Sequence, residues 1–196
     1  MKTTLFLNRL KALREKLLIQ LVEWTKPIYG RVFQKSKIPW KMNFKKLKKF
    51  LPQTLGHDLA NFLEKEGLDL MPKFESHDVY HVLLKYKTTV VDEARMQFFL
   101  MGNRKYSLYI IGTNIVAMIF LPEHLKTFFK EFKKGRKALP IAQWNFEHLL
   151  NEPTQSLRKL ILPPAPNGEL FSFALRQEKK FNKRRKDTEK DFPFIL

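Results

Sequence analysis

ESHDVYHVLLKYKTTVVDEARMQFFLMGN, residues 75–103, predicts two helices and the turn between them. The first starts at Ser76 or His77, and the second runs from Asp92 to a stop at Gly102. Lys87, Thr88 and Thr89 make the turn. On the first helix His77 and His81 stand at i and i+4, one above the other. That is the spacing at which two imidazoles reach one ion at about 2.0–2.1 Å. Asp78, three residues before His81, can lean toward the same ion, and Glu93 in the first turn of the second helix can close the set from the other side. Two histidines and two carboxylates give an all N/O site suited to zinc, iron or manganese and poor for copper(I). A His-x-x-x-His pair alone is more often a surface coincidence. The metal reading rests on four ligand-capable residues converging in a chain with 5 histidines.

Outward from this stretch, helical periodicity dominates and the expected fold is mainly α. Leu10, Leu13, Leu17, Leu21 and Trp24 recur at three- and four-residue spacing, the stripe of an amphipathic first helix, with core packing favoured over membrane contact. Residues 25–53 hold Pro27, Gly30, Pro39 and Pro52 and read as a broken basic connector with at most a short helix. Thr54 is the expected N-cap of a helix that stops at Gly67. YSLYIIGTNIVAMIFLP (106–122) falls short of the roughly 20 apolar residues a membrane span needs and reads as a buried helix. Pro122 starts a further helix whose Leu125, Phe128, Phe129 and Phe132 share a core-facing side under six basic residues between Lys126 and Lys137. A last helix is expected around AQWNFEHLLNEPTQSLRKLIL, and ELFSFAL (169–175) is a weak strand signal. The chain therefore reads as one helical domain over 1–165, followed by a basic extension over 166–196.

With 196 residues and 44% hydrophobic composition, the chain can bury one substantial core. A formal net charge of +18 points to a polyanionic neighbour, an anionic membrane surface or nucleic acid. Nucleic acid is disfavoured: KKFNKRRKDTEK is a basic tail with no recognisable reading motif. The absence of cysteine excludes disulfides, thiolate metal sites and cysteine nucleophiles. Nothing near the N-terminus has the small-residue cleavage site of a secretion signal.

His77-Asp78-Val79-Tyr80-His81, eleven residues, then Glu93 resembles the signature of the coenzyme Q (ubiquinone) biosynthesis protein family of the Coq-four type. The likeness spans about residues 50–165, through TLGHDLANFLEKEG, DEARMQFFLMGN and, near its end, Trp144, Glu147, Pro153, Leu157-Arg158 and Pro163-Pro164. It departs at Lys85-Tyr86, where the family usually has Gly-Tyr, and at Asp92, where Gly is common. The resemblance implies a helical fold and a divalent metal, zinc first, on His77, Asp78, His81 and Glu93. It further implies peripheral membrane association, binding of a prenylated quinone precursor or isoprenoid lipid, and contact with other quinone-biosynthesis enzymes or a second copy as a homodimer. The implied place is the cytoplasm at the inner face of a membrane, or the mitochondrial matrix side in a eukaryote. The implied activity is a metal-dependent, lyase-type removal of the C1 carboxylate, with hydroxylation at that carbon, from a 4-hydroxybenzoate-derived head group. A non-catalytic isoprenoid-lipid-binding scaffold is the alternative.

Overall fold

The computed structural model describes residues 38–162, together with Leu13, Arg14, Lys16, Leu17 and Gln20. The fold is mainly α. Along the described chain run α1 (Phe44–Leu47), α2 (Leu55–Glu66), α3 (Glu75–Leu84), α4 (Val90–Gly102), α5 (Leu108–Phe120), α6 (Leu125–Lys137) and α7 (Thr154–Ile161). Two 3-10 turns, Pro122–His124 and Phe146–Leu149, lead into α6 and toward α7. Among the described residues the β contact is a single isolated bridge between Thr54 and Pro153.

Helix ends follow the local chemistry, with some shifts from expectation. Gly67 ends α2 in the left-handed region, φ 64°, where glycine carries no Cβ penalty. Thr54 does precede α2, but its hydroxyl donates to the Leu51 carbonyl instead of capping. The first free N–H groups of α2, on Leu55 and Gly56, donate to the carbonyls of Glu152 and Leu150, so a distant loop supplies the cap. α3 starts at Glu75, ahead of the expected Ser76 or His77, because the buried Glu75 carboxylate is held by the Trp40 N–H at 3.0 Å. α4 starts at Val90 rather than Asp92, since Thr89 serves as N-cap and its hydroxyl accepts from the Asp92 N–H. The single helix expected over AQWNFEHLLNEPTQSLRKLIL is broken into a 3-10 turn and α7. Pro153 has no N–H to donate and pushes Glu152 out of helical conformation.

The core has two linked parts. Leu55, Leu59 and Leu63 of α2, Val79 and Leu83 of α3, and Leu157 and Ile161 of α7 bury against one another in the first. In the second, Ala94 and Phe98 of α4 meet Phe128 of α6, the two rings stacked with centroids 4.9 Å apart. α4 and α6 approach backbone to backbone, with Gly102 against the Phe132 carbonyl and Gly135 against the Phe99 carbonyl. Asn103, fully buried just past α4, locks the pair. Its amide donates to the Leu139 carbonyl at 2.9 Å and its oxygen accepts from the Ile141 N–H at 2.9 Å.

Two apolar faces are more open than their sequences suggest. α5 forms, but its buried residues are Ile110, Asn114 and Ala117, while Leu108, Ile111, Ile115 and Ile119 are exposed, Leu108 by 70% and Ile119 by 67%. The helix is apolar all round, and hydropathy does not reveal that α4 covers one side of it. Leu13 and Leu17, expected to face the core, are likewise exposed, with Arg14 paired to Glu123 at 2.9 Å. On α6, Phe128 is buried as expected and Phe129 is not. Among the described residues no single helix is long and apolar enough to cross a membrane; α5 and the segment Pro122–Lys137 meet at 104°. The remainder of the expected first helix, the strand signal at 169–175 and the basic extension lie outside the described residues.

Two glycine substitutions are expected to act with opposite signs. Helix propensity favours alanine over glycine by about 1 kcal/mol. A Cβ at Gly112 meets nothing within 4 Å, so Gly112→Ala gains that increment. At Gly135 a Cβ runs into the Phe99 backbone, so Gly135→Ala loses about 1–3 kcal/mol. Denaturant midpoints measured side by side check both; a stabilised Gly135→Ala contradicts the close approach.

Candidate metal centre

α3 and α4 bring three of the four expected ligands together. His77, His81 and Glu93 each offer a ligand atom, and these atoms lie within 4.8 Å of one another. The His81 and His77 Nε2 atoms are 3.2 Å apart, His81 Nε2 is 2.9 Å from Glu93 Oε1, and His77 Nε2 is 3.5 Å from Glu93 Oε2. Donor atoms on a tetrahedral ion bonded at about 2.0–2.1 Å stand about 3.3 Å apart; the separation of the two imidazole nitrogens is close to that edge, while the two Glu93 distances run to its two different oxygens.

Each side chain is positioned by its element. The Nδ1 of buried His81 lies 3.1 Å from the Tyr86 carbonyl, an acceptor only, so Nδ1 carries the proton and Nε2 faces the cluster with its lone pair when the ring is neutral. Phe62 of α2 stacks on the same ring, centroids 5.4 Å apart. The Thr89 cap places Glu93 one turn into α4, where it faces α3.

Asp78 stands beside this group and outside it. It is buried, and its Oδ2 has no hydrogen-bond partner. Burial pushes its carboxyl up to about 6, with the nearby histidines opposing and Glu93 and Glu75 reinforcing the rise. Glu93 behaves oppositely. Burial works to raise it, but the hydrogen bonds and charges of His77 and His81 prevail and hold it at about 2. Burial works to lower His81, yet the Glu93 bond and charge, the Tyr86 carbonyl and Asp78 lift it above its ordinary value. Two imidazole nitrogens, a carboxylate already ionised, and an orphaned carboxylate oxygen alongside fit a divalent cation.

A second polar cluster supports the first, and its long-range part has no local signal in the sequence. Tyr86 donates its hydroxyl to Glu131 of α6 at 2.7 Å. Arg95 bridges Asp92 and Glu131, both at 2.6 Å. Asp92, where the resemblance expects glycine, is neutralised by Arg95 and the Lys87 N–H, so neither Lys85 nor Lys87 offsets it through a side chain. The Asp92–Arg95 half is an i,i+3 pair that sequence could have offered. Glu131, the one acid amid the basic residues of α6, looks in sequence like a solvent-facing partner for lysine and is buried instead.

Residues 70–162 match the family model of the coenzyme Q (ubiquinone) biosynthesis protein Coq4. Over that segment, just under half of its length, the chain is similar to that family. The match contains the whole His77-to-Glu93 motif and the Arg95–Glu131 support. The comparison with curated proteins finds no match. Among solved structures the chain is similar to a crystal structure of a Nostoc punctiforme protein provisionally assigned to ubiquinone biosynthesis, at 20% identity and a TM-score of 0.46, over 78% of this chain and 81% of that one.

The pKa directions fix the sign of a pH experiment. Glu93, depressed, contributes stability that is fully present above about pH 4.5 and lost only toward pH 2. His81 and Asp78, both raised, favour the folded state at low pH and lose that contribution as pH rises through their folded values, about 6 for Asp78. Metal-free protein is therefore expected to lose a few degrees of Tm between pH 5 and 8, given about 2–4 °C per kcal/mol for a domain of this size. Zinc-loaded protein is expected to gain Tm over the same range, because protons leave the ligands. Calorimetry of both forms checks this; parallel slopes count against a metal on these residues.

Proposed function

We propose that this protein holds a divalent metal, zinc first and iron or manganese as alternatives, at His77, His81 and Glu93 with Asp78 alongside. With it, on an anionic membrane surface, it processes a prenylated, 4-hydroxybenzoate-derived head group in ubiquinone-type biosynthesis. The step is loss of the C1 carboxylate as CO2 with hydroxylation at that carbon, dioxygen serving as the two-electron oxidant, so that the aryl carboxylic acid, O2 and water give the phenol, CO2 and hydrogen peroxide. The carrying observation is the convergence of ligand atoms of His77, His81 and Glu93 within 4.8 Å of one another, with His81 fixed by the Tyr86 carbonyl. Bound there, zinc would supply Lewis acidity without redox chemistry, whereas iron would add the capacity to activate oxygen.

The chain's own contributions are positional. Tyr86 and Phe62 hold the His81 ring, Thr89 sets the start of α4, and Glu93 keeps its charge through the pH range of cells. Membrane association is supported by the exposed stripe Leu108, Ile111, Ile115 and Ile119 on a helix without a charged residue. Monomeric proteins seldom leave such a stripe in water, and the net +18 favours an anionic surface, each basic residue near it adding about 1 kcal/mol.

Two assays divide the reading. Protein loaded with zinc, iron or manganese and given a carboxyl-labelled prenylated hydroxybenzoate is expected to release labelled CO2, with loss of about 100-fold or more in Glu93→Gln. No release from protein that demonstrably holds metal would leave the isoprenoid-binding scaffold as the function. In flotation with anionic vesicles, Ile115→Glu with Ile119→Glu is expected to cut binding at least tenfold; unchanged binding removes α5 from the membrane face.

A further inference from the structure

The turn between α3 and α4 carries the acceptor that orients a ligand histidine, and it is held from outside the cluster. Lys85, at φ 60° and ψ 36°, reverses the chain after α3 and brings the Tyr86 carbonyl back to His81, 3.1 Å from Nδ1. Phe62 stacks on the His81 ring within 14° of parallel, which sets the ring plane and leaves both flips of the ring open. Acceptance from Nδ1 disfavours the flip that would put a carbon there, and so keeps Nε2 facing His77 and Glu93.

Little within the turn fixes that carbonyl. Lys85, Lys87, Thr88 and Thr89 are exposed, and so are the bonds from the Lys87 N–H to Asp92 and from the Thr88 hydroxyl to Glu66. Tyr86 is buried. Its hydroxyl donates to Glu131 Oε2 at 2.7 Å, while Glu131 Oε1 accepts from Nε and Nη2 of Arg95 at 3.2 and 2.6 Å. Arg95 is steadied in turn by Asp92 at 2.6 Å.

These contacts close a ring. Arg95 stands on the turn of α4 that also carries Glu93, and the path returns through Glu131, Tyr86 and His81 to Glu93 itself. A buried glutamate is costly unless its bonds offset the burial. α4 and α6 already meet through Gly102, Gly135 and Asn103, so what Glu131 adds is its hold on the turn through Tyr86.

We infer that Tyr86 and Glu131 are positioning residues for His81: Glu131, oriented by Arg95, anchors the Tyr86 side chain, and the anchored carbonyl holds the His81 Nδ1 proton and turns Nε2 onto the cluster. The consequence for metal affinity rests on the metal reading of the proposed function. The consequence for the Nδ1 proton does not.

The test compares full-length wild type, Tyr86→Phe, Glu131→Gln and the double variant. Phenylalanine retains the ring that Phe99 and Arg95 contact and removes only the hydroxyl. Leu157→Ala, a core truncation on α7, lowers Tm without touching the relay. Nitrogen NMR of metal-free protein follows exchange of the His81 Nδ1 proton with water, and chelator competition measures zinc affinity. In Tyr86→Phe the proton is expected to exchange about tenfold faster or more, and zinc affinity to fall about tenfold or more. Glu131→Gln, whose amide oxygen can still accept from the phenol, loses less. The double variant loses no more than Tyr86→Phe alone, because both act along one path. Leu157→Ala keeps both properties. Unchanged exchange or unchanged affinity in Tyr86→Phe, or additive losses in the double variant, overturns the inference. Faster exchange in Tyr86→Phe when wild type takes no zinc upholds the positioning and strikes the proposed function instead.

Discussion

The close packing of α4 on α6 is the constraint from which the site follows. Gly102 and Gly135 let the two backbones touch, and Asn103 ties the chain after α6 to the end of α4. With α6 at that distance, Glu131 falls within reach of both Arg95 and the Tyr86 hydroxyl. Tyr86 anchored at its hydroxyl fixes its own carbonyl, and that carbonyl fixes the tautomer and direction of His81. A backbone contact between two glycines and two carbonyls thus orients an imidazole through Glu131 and Tyr86. Substituting a larger side chain at either glycine would loosen the ligand geometry even though neither glycine is near it in sequence.

The same packing explains the asymmetry of the second core. α4 is covered on one side by α6 and on another by α5, and its Phe98 and Phe99 are both buried. α5 has no such double cover. Its buried stripe, Ile110, Asn114 and Ala117, meets α4, with the Asn114 amide donating to the Gln97 carbonyl, and the opposite stripe is exposed with no covering helix among the described residues. The inner face thus joins an apolar pair to one polar anchor, while the outer face is aliphatic, so the helix is apolar all round.

Sequence carried much of this, for identifiable reasons. The helical class and the neighbourhood of His77, His81 and Glu93 were legible because i,i+4 spacing and a short turn leave little freedom in where those side chains go. Gly67 was legible as a stop because glycine takes φ 64° without a Cβ penalty. Illegible were the features made by distant residues. The α2 cap comes from carbonyls at 150 and 152, the start of α3 from Trp40, the burial of Glu131 from Tyr86, and the exposure of α5 from the absence of a covering neighbour among the described residues. Asp78 shows the same limit from the other side. Sequence places it one residue from a ligand, but only packing determines that its Oδ2 is buried without a partner.

That orphaned oxygen also bears on why a divalent ion suits this cluster. Without metal, Glu93 is an anion, His81 is drawn toward its cationic form, and Asp78 resists ionising until about pH 6 because burial penalises its charge. The cluster thus approaches charge balance by protons held on Asp78 and His81. In the proposed site a divalent cation would replace those protons: two carboxylates carry two negative charges, two neutral imidazoles carry none, and the sum with the ion is zero. The histidine proton and the Asp78 proton would leave on binding, and the burial that opposes Asp78 ionisation would then strengthen its attraction to the ion, because the same low dielectric acts on both. A monovalent ion would leave one buried carboxylate uncompensated and a trivalent one an excess of positive charge. Charge closure, added to the convergence of the donor atoms, therefore supports the divalent ion of the proposed site without reference to which one it is.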